Sequence, residues 1–150
     1  MTARLIIAER SGGWADAMRV ELAETGVRLW ETGPRPELPE VVAEAPGSFL
    51  VLELMSKNAA WLLDALVDLQ RAWPRVRAAV VADRSLGAWQ WLMREAGAVH
   101  FLTSPQQLAP LVDLACRHLA AAPAPQQTFS ERIWAGLPWG APAHHGPRPW

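Results

Sequence analysis

The chain predicts a three-layer α/β sandwich built on a five-stranded parallel sheet, and three observations carry that expectation. Short apolar runs of strand length alternate along the sequence with longer segments whose apolar residues recur at spacings of three and four. Two of the short runs, SFLVLEL at 48–54 and VRAAVVA at 76–82, are nearly continuous in apolar residues, as strands buried on both faces are. Several of the longer segments close on Gly or Pro, at Gly26, Pro74 and Gly97, where helices stop. Strand and helix in alternation, joined by right-handed crossovers, give helices on both faces of a parallel sheet.

The elements follow in order. RLIIAE (4–9) is the first strand, and WADAMRVELAETG (14–26) has the spacing of a helix ended by Gly26. VRLWE (27–31) is the second strand; PELPEVVAEAPG (36–47) is the second helix, its start crowded by Pro34, Pro36 and Pro39. SFLVLEL leads into NAAWLLDALVDLQRAWP (58–74), and VRAAVVA into SLGAWQWLMREAG (85–97). AVHFLT (98–103) and PQQLAPLVDLACRHLAA (105–121) complete the set. Beyond residue 120 the composition changes abruptly. The expected organisation is therefore a domain over 1–120 and a Pro/Trp-rich tail over 121–150, opening with the linker AAAPAPQQ.

Composition narrows the function classes. A chain of 150 residues, 51% hydrophobic, buries one good core. Its net charge of -1 gives no electrostatic footprint for nucleic acid or an anionic membrane. No apolar run is long enough for a signal peptide or a spanning helix. The single Cys116 cannot form an internal disulfide and fits a reducing, cytoplasmic setting, where a lone Cys in an apolar helix pattern acts as a small hydrophobe. His100 reads as a core histidine in an apolar strand. His144 and His145 have no Cys, Asp or Glu nearby, so no metal is expected there.

Chemistry in such a sheet gathers at the carboxyl ends of the strands. The residues that fall there are Glu9, Arg10, Glu53, Ala82, Asp83 and Ser104. The order of elements, the carboxylate ending the third strand in LVLELM, the helix closing in REAGA and the fifth strand followed by FLTSP resemble the receiver (CheY-like) domains of bacterial response regulators, over about residues 3–120. The resemblance implies the flavodoxin/CheY-like fold. It also implies acids after the first strand that bind Mg²⁺, a phosphoacceptor ending the third, a hydroxyl after the fourth and a Lys after the fifth.

Position by position, this sequence departs from that pattern. The acidic pair falls on Glu9 and Arg10, and a guanidinium cannot ligate Mg²⁺. The phosphoacceptor position falls on Glu53, one methylene longer and poorly placed for in-line attack. Ala82 stands at the hydroxyl position and Ser104 at the Lys position, while the chain's one lysine, Lys57, lies in another element. The expectation is a pseudo-receiver without phosphotransfer chemistry, not an enzyme, with no cofactor and no metal. Two readings of the acids stay open. Arg10 lies between Glu9 and Glu53 as a fixed internal cation in place of the metal, or both carboxylates are solvated at strand ends.

The nine tryptophans need a second account. Trp14, Trp30, Trp61 and Trp73 sit in helix or strand patterns and read as core or half-buried packing. Trp89 and Trp91 are two apart on a helix and face different ways, so at least one is exposed. The resemblance places them beside the face, fourth helix to fifth helix, that contacts partners or a second copy of the chain. In the tail, Thr128 and Glu131 have capping-box spacing ahead of Gly136, with Phe129, Ile133, Trp134, Leu137 and Trp139 as apolar anchors. Residues 128–139 thus form a short segment that docks on its own domain or in a partner's groove.

The expected function is a signalling adaptor or regulatory interaction module, partnered by protein rather than by nucleic acid or membrane. Two alternatives come from other classes. One is a single-domain response regulator still phosphorylated, at Glu53 or Asp83. The other is a flavodoxin-like small-ligand binder using the loop Ser11–Gly13, where adjacent glycines precede a helix.

Overall fold

A computed structural model describes residues 3–121. In it β1 (Leu5–Ala8), β2 (Leu29–Thr32), β3 (Phe49–Leu54), β4 (Arg77–Ala82) and β5 (His100–Leu102) alternate with α1 (Gly13–Leu22), α2 (Leu38–Glu44), α3 (Ala59–Ala72), α4 (Gln90–Ala96) and α5 (Leu108–Ala121). The strands form one sheet in the order β2-β1-β3-β4-β5, and every pairing is parallel. The order reverses at β1. The crevice beside the carboxyl ends of β1 and β3 is therefore the switch point at which such sheets hold ligands.

Residue alternation along the central strands divides the core into two layers. Ile6, Leu50, Leu52, Leu54 and Val80 pack against α2, α3 and α4 through Val42, Leu62, Leu66 and Met93. Leu5, Ile7, Phe49, Val51 and Val81 face α1 and α5 through Met18, Leu22, Leu108, Leu111 and Ala115. Burial on both faces accounts for the nearly continuous apolar runs of β1, β3 and β4; each Leu so buried contributes roughly 1.5–3 kcal/mol. Strand β2 at the edge is only half-buried, which is why its sequence mixes apolar and charged residues. There Trp30 lies between two guanidinium groups, Arg4 at 4.2 Å and Arg28 at 4.1 Å from the ring centroid.

Two helix boundaries depart from the sequence pattern, each for a local reason. Helix α1 stops at Leu22, four residues before Gly26, because the Thr25 hydroxyl donates to the Leu22 carbonyl at 2.8 Å and closes a turn. The fourth helical segment opens as a 3-10 helix over Arg84–Trp89 before α4 begins. Helix α2 forms despite its prolines, since Pro39 occupies the first turn, where a missing N–H costs nothing. Gly97, at φ 124°, ends α4. No helix among the described residues is long and apolar enough to cross a membrane.

Candidate functional site

A cleft of about 720 Å³ opens at the carboxyl ends of β1, β3 and β4. Arg10, Ser11, Glu53, Ala82, Asp83 and Thr103 line it. Four of the six positions singled out in the sequence, Arg10, Glu53, Ala82 and Asp83, thus meet in one place. Glu9 and Ser104 border the cleft without lining it, Ser104 lying between Thr103 and Pro105, which do.

Glu9 is buried and does not line the cleft. Gly12, at φ 79°, lets the chain double back into α1. The Glu9 carboxylate then accepts hydrogen bonds from the backbone N–H groups of Trp14 at 3.1 Å and Ala15 at 2.7 Å. It caps α1 from outside the helix, placing negative charge at the positive end of the dipole. Burial raises its pKa above the ordinary carboxylate value. The two backbone bonds oppose that rise, and the neighbouring charges of Glu53 and Glu31 add to it.

Glu53 meets residue 10 through the backbone. Its carboxylate accepts from the Arg10 N–H at 3.1 Å and, at 3.3 Å, from the Ser11 hydroxyl. The Arg10 side chain is exposed. The ion pairs among the described residues are Arg4 with Glu44 and Arg19 with Asp16 and Glu31. The internal Arg10 cation expected from the sequence is therefore corrected. Glu9 is held by two main-chain donors in the first turn of α1, and Glu53 by one main-chain N–H and one hydroxyl of the β1–α1 turn; neither needs a desolvated guanidinium. The alternative, a solvated carboxylate at a strand end, does not hold for the buried Glu9; Glu53 is half-buried and its two bonds lie at an exposed turn.

Asp83 serves the 3-10 turn. Its carboxylate accepts from the Ser85 N–H at 3.1 Å and the Ser85 hydroxyl at 2.7 Å. The Ser85 hydroxyl, then its N–H, hold the Asp83 pKa below the ordinary value. Ala82 is fully buried and Ser104 makes no capping bond to the turn it precedes. Asn58, not singled out in the sequence, fixes the loop below Glu53: its Nδ2 donates to the Glu53 carbonyl at 2.8 Å and its Oδ1 accepts from the Met55 N–H at 2.7 Å. An Asn directly before a helix was the available signal.

The receiver resemblance implies a Mg²⁺ ion at this place, and the donor set does not fit one. Divalent magnesium takes carboxylate and carbonyl oxygens in near-octahedral array. Here Glu9 has both oxygens on α1, Glu53 bonds the Arg10–Ser11 turn, and a guanidinium stands at the second acidic position. The loop Ser11–Gly13 is equally unsuited to cradle a phosphate. The helix N-terminus it leads into is filled by the chain's own Glu9 carboxylate.

Away from the cleft, Trp14 is buried while Trp30, Trp61 and Trp73 are half-buried, as read from the sequence. Trp89 packs on the core and Trp91 is 70% exposed. His100 is half-buried; burial, then the charge of Arg94, lowers its pKa. Cys116 is half-buried against the α1–α5 layer. The segment 128–139 with Phe129, Ile133, Trp134, Leu137 and Trp139, and the pair His144 and His145, lie outside the described residues.

No protein-family profile matches the chain, and no curated protein matches it. Solved structures do. A CheY-like protein, tadZ, from Pseudomonas aeruginosa shares 18% identity at a TM-score of 0.64, covering 84% of this chain and 100% of that one. A response regulator from Thermotoga maritima shares 15% at 0.62, covering 81% and 100%. A putative pilus assembly protein, cpaE, from Burkholderia thailandensis shares 17% at 0.52, covering 78% and 99%. The chain has the receiver fold, the CheY-like five-stranded α/β sandwich.

Proposed function

We propose that this chain is a receiver-fold signalling regulator that has lost phosphotransfer and acts through protein contacts. The observation that carries the reading is the engagement of both acids by the β1–α1 turn: Glu9 caps α1, and Glu53 holds the Arg10 N–H and the Ser11 hydroxyl. A phosphoacceptor needs a free carboxylate beside a metal held by other acids. In and beside this cleft Arg10, Ala82 and Ser104 replace the groups that would hold the metal, bond the phosphoryl oxygen and report its arrival.

What remains is a rigid fold with docking surface. Trp91 stands 70% exposed on α4, with Leu92 beside it in sequence at 39%. Tryptophan is among the side chains enriched at the energetic centres of protein interfaces, so this face takes a protein partner or a second copy of the chain. The likeness to a putative pilus assembly protein supports a role within a larger protein assembly.

A Mg²⁺ titration followed by backbone NMR tests the reading. Millimolar Mg²⁺ leaves the amide signals of residues 9–12 and 53–56 where they were. Saturable shifts confined to those two loops would overturn it.

A further inference from the structure

A second concavity, of about 250 Å³, lies between the start of α2 and the length of α3 and shares no lining residue with the strand-end cleft. Trp61 and Trp73 mark its two ends, Leu69 lies between them, and Glu37, Asp64 and Asp68 supply three carboxylates. No basic side chain among the described residues lines it. Trp61, Asp64 and Asp68 share one stripe of α3, at spacings of three and four. The three acids are exposed and the two tryptophans half-buried. Rigid indole faces with carboxylates beside them suit a segment of proline and arginine: proline rings stack on the indoles, and guanidinium groups meet the acids.

The chain itself carries such a segment. Residues 132–150, RIWAGLPWGAPAHHGPRPW, contain four prolines, Arg132 and Arg148, and no acidic side chain. Their reach fits. The His118 ring lies 2.8 Å from the Gly47 carbonyl, just ahead of β3, so α5 ends near the amino ends of the strands. Trp73, directly after α3, lies at that same end, ahead of β4. Crossing from one helical layer to the other is a path of roughly 20 Å, two layers of about 10 Å each. The ten residues 122–131 span up to about 33 Å when extended, which delivers Arg132 to the Trp73 end of the groove.

We propose that residues 132–150 dock in cis in the α2–α3 groove, with Arg132 and Arg148 facing Asp64, Asp68 and Glu37. The proposal does not rest on the loss of phosphotransfer and stands or falls apart from it. Its test uses the full chain carrying Cys116→Ser and Ala141→Cys with a nitroxide label, read by broadening of the indole N–H signals of Trp61 and Trp73. Both signals broaden at every protein concentration, and both recover when Asp64→Arg and Asp68→Arg are added. In the unlabelled chain, amide hydrogen exchange of residues 132–150 is slow and is accelerated by the same pair of substitutions. Unbroadened Trp61 and Trp73 overturn the proposal, as does broadening of Trp89 and Trp91 instead. Broadening that vanishes on dilution overturns it in favour of a second copy as the source.

Discussion

Replacing Glu9 by Ala removes the acceptor for two backbone donors at the start of α1. Both lie at buried residues, Trp14 and Ala15. Hydrogen bonds to a charged acceptor contribute about 1.5–3 kcal/mol each, and a buried donor left without a partner loses its desolvation energy outright. Burial of the carboxylate offsets part of this, as its raised pKa records, so a loss of about 2–4 kcal/mol is expected for Glu9→Ala. Arg10→Ala removes an exposed side chain and changes stability by less than about 0.5 kcal/mol. Urea denaturation of the two variants at neutral pH, monitored by circular dichroism, separates them. Glu9→Gln adds a pH arm. Because the folded pKa of Glu9 lies above its unfolded value, the stability linked to its protonation is full below about pH 4.5 and is lost as pH rises through the folded pKa. The advantage of the native protein over Glu9→Gln therefore shrinks as pH rises from 4 towards neutrality. An Arg10→Ala loss larger than that of Glu9→Ala refutes the capping account, and an advantage over Glu9→Gln that grows with pH shows instead that the backbone bonds outweigh burial.

Two further outcomes follow from the same structure. Gly97→Ala forces a Cβ onto a residue at φ 124°, 3.1 Å from the Gln70 Oε1; Gln70 is a flexible exposed side chain and yields, but the backbone strain remains and costs about 1–3 kcal/mol, read as a lower urea midpoint. His100 has a depressed pKa, from burial and then Arg94, so its contribution to stability is present above about pH 6.5 and lost as pH falls through the folded value; His100→Gln flattens the acid side of the stability profile measured by thermal melts between pH 5 and 8.

The sheet is legible because burial on both faces keeps polar residues out of β1 and confines them to single positions, Glu53 and Arg77, in β3 and β4. The edge strand β2 was read as 27–31 and forms at 29–32. Half-exposed strands carry a mixed pattern with no sharp end, so the offset has a physical cause. The residues meeting at the strand ends were legible too, since topology alone brings Arg10, Glu53, Ala82 and Asp83 together. What each atom does there was not. Residue 10 faces Glu53 with its N–H rather than its guanidinium because Gly12 turns the chain at positive φ, and side-chain type does not report which group of a residue reaches a site. The α2–α3 groove was missed for a different reason. Trp61 and Trp73 were read as packing, which they are on one side; the stripe of Asp64 and Asp68 at helical spacing from Trp61 was the signal that their other side faces solvent.

The central claim is that this receiver fold does not accept a phosphoryl group, and a phosphodonor tests it most directly. The full chain is incubated at neutral pH with acetyl phosphate and millimolar Mg²⁺, then read by intact mass without acid or heat, which would hydrolyse an acyl phosphate. The engagement of Glu9 and Glu53 by the β1–α1 turn predicts an unchanged mass. A phosphoryl adduct that forms only with Mg²⁺ and is lost in Glu53→Gln would contradict the account.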